Sequence, residues 1–260
     1  MRCPTLVAAL ALLVAPCARA QESPAPEPIA HAFLVAGPTF TGVIDEQGHE
    51  QWAAPEPNAR DAWLLPDGHI LIAWYKQVLE FDADRRVVWE YHIADINQEI
   101  GCVQRLDSGN TLVGELGNTP RLLEVTPGGE IEAEIPLEPE NFDNIHMQTR
   151  MARKLANGNY LVPHLFAFAV KEYTPGGEVV AEFPTDTEFF GGRDTRHWPF
   201  TAIRTPDGHT VVGCTYGNHV VEFDGEGEVV WDVTTTTSGG SSTTPAACSG
   251  CPTATPSSPP

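Results

Sequence analysis

The chain has 260 residues, of which 15 are basic and 35 acidic, so its formal net charge at pH 7 is −20. Proteins bind nucleic acids and anionic membranes mainly through Lys and Arg, and this balance therefore excludes both as principal partners. The same acidity suits a protein that stays soluble outside the cell.

The first 20 residues predict a secretory signal peptide that is removed from the mature protein. Arg2 gives a basic start, residues 6–14 form an apolar run, and residues 18–20 (Ala-Arg-Ala) form a cleavage site. The run is too short to span a bilayer, so we expect no membrane insertion after cleavage. Cleavage would remove two arginines and no acid, which takes the net charge from −20 to −22. We expect a secreted or periplasmic protein in which residues 21–30 are a linker.

Residues 31–233 contain a repeated unit that begins with a tight hairpin. Each of four segments consists of an apolar strand, a turn that ends in glycine and a second apolar strand. The four glycines are Gly68, Gly109, Gly158 and Gly208. The Asp-Gly, Ser-Gly and Asn-Gly pairs at these turns supply the positive φ that a tight hairpin requires. Successive units are 41 to 50 residues long, which indicates a repeat architecture.

A second hairpin recurs in the same region with constant spacing. In three copies an Asp is followed seven residues later by a Trp, and in two more copies Thr and Ala hold these positions. The pairs are Asp45/Trp52, Asp82/Trp89, Thr126/Ala133, Thr174/Ala181 and Asp224/Trp231. Each complete unit therefore predicts four short strands, with no room for long helices.

Four strands in a repeat of this length are typical of a β-propeller blade. We predict an all-β fold with four near-complete blades and a leading three-strand piece. Their approximate ranges are 31–58, 60–100, 101–146, 147–196 and 197–233. This is an incomplete propeller of about five blades out of an expected six, whose ring does not close. One blade cannot bury both of its faces, so the core should lie between blades, with Trp89-type residues as wedges.

The tail at residues 234–260 changes abruptly to Thr, Ser, Pro, Ala and Gly. One interpretation is a low-complexity secreted linker. The other is an out-of-frame segment, because the shifted frame of residues 245–259 permits the string CGVQRLPDGNTVVA. That string nearly repeats residues 101–113 of the same chain. We favour a frameshift near residues 233–236, in which case Cys248 and Cys251 encode no chemistry.

The strings VLEFD-x6-WEY (residues 78–91) and LPDGHIL (residues 65–71) resemble propellers of the PQQ-like, quinoprotein-type repeat superfamily. They look closest to its secreted bacterial members and to arylsulfotransferase-type propellers, and the likeness covers residues 31–233. Arylsulfotransferase-like members imply histidines and an arginine at the central channel that bind and transfer sulfate. Quinoprotein dehydrogenases would imply calcium and a vicinal cysteine pair. This chain has no adjacent cysteines, which weighs against a bound quinone.

Candidate site residues follow from the repeat register. In a propeller, the segments entering the innermost strands and the ends of the second strands emerge on one face. Ahead of the first strands lie His146 with Arg150 and Arg193 with His197, and Arg60 holds the matching position in an earlier unit. Six residues after the turn glycines lie Trp74, Glu115 and His164. These positions differ from unit to unit, as expected for a site carried on a repeated scaffold.

The histidines and arginines among these candidates form a cationic group on an acidic protein. Arg presents donors suited to a carboxylate or sulfate, and His can move a proton near neutral pH. This pattern favours an anionic ligand. The alternative is that these residues are solvated or are satisfied hydrogen-bond partners within the fold.

The sequence is compatible with three functions. The first is binding of a small anionic ligand, a glycan or a protein at the channel mouth. The second is an arylsulfotransferase-like transferase that uses His146 or His197 with Arg150, and the third is an assembly scaffold. We expect a monomer with no metal and no cofactor. Calcium is a weak alternative, since Asx turns explain the acidic residues of the second hairpins.

Overall fold

The computed structural model describes residues 30–140 and 143–234. The predicted signal peptide, nearly all of the predicted linker, and the tail beyond residue 234 lie outside the described residues. The helical segments in the described ranges are three-residue 3-10 turns at Ile145–Met147, Glu188–Phe190 and Arg193–Thr195. None of the helices found there is long and apolar enough to cross a bilayer.

The strands form five antiparallel sheets, which we call blades 1 to 5. Blade 1 has three strands: β1 (Phe33–Ala36), β2 (Thr41–Ile44) and β3 (Glu50–Ala53). Blade 2 comprises β4 (Asp61–Leu64), β5 (Ile70–Ala73), β6 (Gln77–Phe81) and β7 (Val87–His92). Blade 3 comprises β8 (Asn97–Arg105), β9 (Thr111–Gly117), β10 (Arg121–Val125) and β11 (Ile131–Pro136).

The last two blades also have four strands each. Blade 4 comprises β12 (Arg153–Lys154), β13 (Tyr160–His164), β14 (Ala169–Tyr173) and β15 (Val179–Pro184). Blade 5 comprises β16 (His197–Arg204), β17 (Thr210–Tyr216), β18 (His219–Phe223) and β19 (Val229–Thr234). In all five sheets, strands that are consecutive in the chain are paired. This is the meander expected of propeller blades, and the all-β propeller prediction is confirmed.

The first hairpin of each four-stranded blade turns where the sequence predicts. Gly68, Gly109, Gly158 and Gly208 have φ between +85° and +94°. A Cβ added at any of these four glycines would meet no atom within 4 Å. Glycine is therefore needed for its left-handed backbone conformation and not for lack of space.

The second hairpins share one corner geometry in all five blades. In each, a side-chain oxygen accepts a hydrogen bond from the backbone N–H four residues later. The accepting residues are Asp45, Asp82, Thr126, Thr174 and Asp224. Asp and Thr are interchangeable here because either oxygen can cap the turn. The matching corners confirm the seven-residue spacing as a structural repeat.

The hydrophobic core lies between neighbouring blades. Four buried clusters each combine residues of two consecutive blades, which links blades 1 to 5 in chain order. Trp52 and Trp89 pack against two of these clusters, as the wedge interpretation predicts. Among the described residues no equivalent cluster joins blade 5 to blade 1. Within residues 30–140 and 143–234, the face of blade 5 that points away from blade 4 therefore has no apolar partner.

A repeated ion pair also joins neighbouring blades. The third strands of blades 2, 3 and 4 each carry a buried glutamate, and the next blade supplies a cation from its first strand. The pairs are Glu80–Arg105, Glu124–Lys154 and Glu172–Arg204. Each cation stands four residues before the turn glycine of its own blade. The pairs thus mark the contact between one blade and the next.

Candidate functional site

The predicted site residues lie at one end of the blades, which we call the entry face. It is defined by the starts of the first strands, such as His197, and the ends of the second strands, such as His164 and Tyr216. Antiparallel pairing brings these two kinds of position to the same end, since His197 pairs with Tyr216. The glycine turns lie at the opposite end, which we call the turn face.

On the entry face, two arginines and a histidine converge on one carboxylate. Arg60 Nη2 lies 2.5 Å from Glu99 Oε1, and His146 Nδ1 lies 2.9 Å from the same oxygen. Arg150 Nη2 lies 3.4 Å from it. Tyr75 completes the group, because the Arg60 guanidinium lies 4.7 Å from the centre of its ring. We call these five residues the Glu99 cluster.

Two blades and one connection supply the Glu99 cluster. Arg60 directly precedes β4, and Tyr75 follows β5 in the same blade. Glu99 lies in β8, where two register shifts interrupt the pairing with β9. His146 and Arg150 come from the connection between blades 3 and 4, and His146 sits in a 3-10 turn. The cluster therefore depends on neighbouring blades being docked correctly.

Burial sets the charge state of the cluster. Burial, together with the nearby Arg60 cation, lowers the pKa of Arg150 to about 10 despite the attraction of Glu99, so Arg150 stays charged at neutral pH. Burial and the charge of Arg150 also lower the pKa of His146, and Glu99 only partly offsets them. His146 is then neutral at pH 7 and donates from Nδ1 to Glu99, which leaves Nε2 as an acceptor. Two guanidinium groups facing one carboxylate give the cluster a net positive charge.

The Arg150 guanidinium is not fully satisfied by the fold. Its side chain is 3% exposed, and Nη1 donates to the Thr149 carbonyl at 2.7 Å. Nη2 is buried and makes no hydrogen bond to any described residue. Nη2 lies 3.4 Å from Glu99 Oε1, and this contact is an ion pair without a hydrogen bond. Buried donors are normally paired, so an unused N–H beside a partly exposed imidazole suggests a place for an acceptor from outside the chain.

The three candidates at the ends of second strands, Trp74, Glu115 and His164, are buried and have partners within the fold. Glu115 is fully buried and accepts hydrogen bonds from Tyr91, Asn97, Arg121 and the Ala94 N–H. Burial alone would raise the pKa of Glu115, but these donors outweigh it and lower the pKa.

Two more of these candidates lie in the interior. Trp74 is buried in the core between blades 1 and 2 and donates to the Glu56 and Pro57 carbonyls. His164 is fully buried, lies 2.8 Å from the Tyr173 hydroxyl, and has a pKa lowered by burial to about 3.

The remaining pair of candidates lies near the connection between blades 4 and 5. Arg193 is neutralised by Glu140 at 2.7 Å and Asp186 at 2.8 Å. His197 lies 2.7 Å from the Thr195 hydroxyl, and its ring centre is 5.0 Å from that of His219. Neither residue contacts the Glu99 cluster within the described ranges. The structure therefore brings together His146 and Arg150 but separates them from Arg193 and His197.

Sequence reasoning missed Glu99 and Tyr75 as members of the cluster. Tyr75 directly follows a candidate position, so shifting the register rule by one residue would have found it. Glu99 could not be found in this way, because the register shifts in β8 break the residue count.

A second polar group lies at the turn end of blade 5. The ligand atoms of Asp207, His209 and Glu222 all lie within 4.8 Å of one another. Blade 2 carries the same three residue types at equivalent positions, Asp67, His69 and Glu80. In blade 2, Glu80 forms an ion pair with Arg105 of the next blade. The three residues there therefore belong to a contact between blades.

The known proteins that resemble this chain do so in their fold. No protein-family model and no curated protein matches it. Among solved structures, a protein of unknown function from Bacteroides caccae has 23% identity and a TM-score of 0.67 over 79% of this chain and 73% of its own. A virginiamycin B lyase from Staphylococcus aureus has 13% identity and a TM-score of 0.58 over 77% of this chain and 64% of its own.

The WD40 propeller domain of Doa1 has 11% identity and a TM-score of 0.57 over 77% of this chain and 63% of its own. The chain spans less than two thirds of the length of the lyase and the Doa1 domain. These similarities establish the β-propeller fold. A fold does not determine function, so the function must be argued from the site itself.

Proposed function

We propose that this propeller binds a small anionic ligand at the Glu99 cluster on its entry face. The observation that carries the proposal is the buried Arg150 Nη2, which has no hydrogen-bond acceptor among the described residues. A carboxylate, sulfate or phosphate oxygen would satisfy it and would meet the positive charge that Glu99 leaves uncompensated. The protein as a whole is acidic, so the cluster is opposite in charge to the chain as a whole.

The cluster is organised for binding before any ligand arrives. Glu99 holds Arg60 and His146 in place, and the Tyr75 ring lies beneath the Arg60 guanidinium. Fixed donors lose little conformational freedom when a ligand binds. His146 is about half exposed and offers the approach from solvent. Arg150 is then the buried anchor and His146 the residue at the entrance.

Replacing Arg150 by Gln is expected to weaken binding of sulfate, phosphate or glucuronate about 10- to 100-fold, the cost of one charged hydrogen bond. His146→Gln should have a smaller effect at pH 7. For the unsubstituted protein, affinity should rise as the pH falls through the lowered pKa of His146, because the imidazolium adds a positive charge. Isothermal titration calorimetry with sulfate, whose charge does not change over this range, at a series of pH values from 7 downward would measure both effects.

Arg193→Gln is the matched control, because Arg193 is an exposed arginine that is already paired with two carboxylates. It should leave the affinity unchanged. Circular dichroism would establish that Arg150→Gln is folded, and Arg60→Gln provides a second test if it is not. Equal affinities for the Arg150, Arg60 and Arg193 variants would contradict the proposal.

A second candidate function is group transfer with His146 as a general base, which the resemblance to arylsulfotransferase-type propellers suggests. The supporting observation is the contact of Nδ1 with Glu99, which orients the ring and leaves Nε2 free to accept a proton. The sensitive assay is release of 4-nitrophenol from 4-nitrophenyl sulfate with a phenol as acceptor. If the release of 4-nitrophenol is unchanged by His146→Gln, this chemistry is excluded, and the proposal of anion binding is unaffected.

We further propose that the protein is exported and that its tail is out of frame, on the sequence patterns described above. The PQQ-like assignment is proposed on the same basis, since the comparisons reach only the propeller fold. Resequencing the locus tests the frame. A verified reading frame through residues 233–236 without an insertion or deletion would exclude the frameshift.

A further inference from the structure

The face of blade 5 that points away from blade 4 differs from the equivalent faces of other blades. Third-strand residues at one equivalent position, Val78, Leu122 and Val170, are fully buried beneath the following blade. Val220 holds that position in blade 5 and is only partly buried. On the same face, Ile203 is 54% exposed, Trp231 50% and Val233 47%. We call these four residues together with Glu222 the open face.

Trp231 shows that the difference is one of environment and not of sequence. It occupies the same repeat position as Trp89, seven residues after the hairpin Asp. Trp89 packs against the core between blades 2 and 3. Trp231 has no following blade against which to pack within the described chain. An exposed apolar patch of this kind marks an interaction surface.

Glu222 supplies the charge on the open face. It occupies the position of Glu80, Glu124 and Glu172, each of which pairs with a cation from the following blade. Glu222 lies 2.7 Å from His209 of its own blade, as Glu80 lies 2.8 Å from His69. Within the described residues it has no cation from a following blade. The open face thus carries the acidic half of a pair that is complete three times elsewhere in the fold.

We propose that the open face binds a further blade of this same repeat type. The first strand of that blade carries Arg or Lys four residues before its turn glycine, and the cation pairs with Glu222. The aliphatic residues of the same blade cover Ile203, Val220 and Trp231. The partner is thus defined by the cation and the aliphatic residues that a following blade supplies at the other three interfaces.

The alternatives fit the observations less well. A metal ion at Asp207, His209 and Glu222 would have to bind where blade 2 uses the same residue types to receive an arginine. A second copy of this chain that docked through its blade 1 would lack the required first strand, because blade 1 has only three described strands. The shifted-frame string CGVQRLPDGNTVVA, by contrast, has its arginine four residues before its glycine.

The test extends the chain with a blade whose docking is already known. Residues 93–137 of blade 3 are appended directly after Thr234, which holds the place of His92 in the repeat. The substitution Val233→Cys then reports coverage of the open face by thiol labelling, because its counterparts Ile135 and Phe183 are buried beneath the following blade. Labelling should be at least about tenfold slower in the extended chain than in the original chain, because only the covered state is protected. The matched control Val88→Cys, at a site that is 51% exposed, should label equally in both.

The ion pair is tested by a double-mutant cycle in the extended chain. Glu222→Gln, and replacement by Met of the appended copy of Arg105, should each lower the Tm, and the double variant should lose less than their sum. In the original chain Glu222→Gln should change the Tm little. If the first extension does not fold, a copy of residues 195–234, which carries Arg204, replaces it. Unchanged labelling of the Val233→Cys thiol in a folded extended chain, or strictly additive Tm losses, would overturn the proposal.

Discussion

Replacing Glu115 by Ala should lower the free energy of unfolding by about 3–5 kcal/mol, the cost of breaking a buried charge pair. Glu115 is fully buried, and Arg121 lies 2.9 Å from it. Its removal would leave the Ala94 N–H and one N–H of the Asn97 amide without an acceptor, and would leave Arg121 with only a half-exposed partner. Urea denaturation monitored by circular dichroism would measure the loss.

That half-exposed partner, Glu134, is the control for this prediction. It pairs with the same arginine at 3.1 Å, but half of its side chain is exposed to solvent. Glu134→Ala should therefore cost no more than about 1 kcal/mol, as is usual for exposed pairs. Similar losses for the two variants would show that Glu115 does not organise the region between β7 and β10.

The second large effect concerns acid stability. Burial lowers the pKa of His164 to about 3, well below the usual value for histidine of about 6.5. As the pH falls below 6.5, the unfolded chain takes up a proton at His164 and the folded chain does not, so stability is lost progressively down to about pH 3. The free energy of unfolding should fall by several kcal/mol over this pH range because of His164. In His164→Gln this contribution to the fall should be absent.

Urea denaturation at pH 7 and at pH 4.5 measures this effect as the difference in the free energy of unfolding between the unsubstituted protein and His164→Gln. His164→Gln should be less stable than the unsubstituted protein at pH 7, because it loses the shape and the Tyr173 contact of the imidazole. The gap should narrow or reverse at pH 4.5. His49→Gln, at a largely exposed histidine, is the control and should show no such narrowing. A constant gap for His164→Gln between the two pH values would show that His164 is not kept neutral.

Local patterns in the sequence predicted the fold well because the turns depend on near neighbours. A glycine with positive φ and a side-chain cap four residues away are short-range features that a single segment specifies. Gly68 and Asp82 therefore lie where the spacing placed them. The position of the core followed from the repeat, since a blade cannot bury both faces alone.

The candidate site was predicted only in part, because its members come from blades 2 and 3 and from the connection that follows blade 3. His146 and Arg150 share one connection and could be grouped from the sequence. Glu99 and Tyr75 reach them only through blade docking and the register shifts in β8. His164, by contrast, was a candidate that the structure places in the interior, since a polar residue at a strand end need not face solvent. Its strand is buried throughout, and burial there does not depend on the polarity of the side chain.

The ion pairs between blades have a consequence for how such chains can be rearranged. Leu64 holds the cation position in blade 2, and Val43 holds the facing glutamate position in blade 1, so this first junction is apolar on both sides. A gene duplication or permutation that placed blade 2 after blade 3 or 4 would set a leucine against a buried carboxylate. Such a rearranged chain would fold poorly, because an unpaired buried charge is costly. Leu64 thus restricts where blade 2 can stand in the chain, whereas blades 3, 4 and 5 all carry the cation.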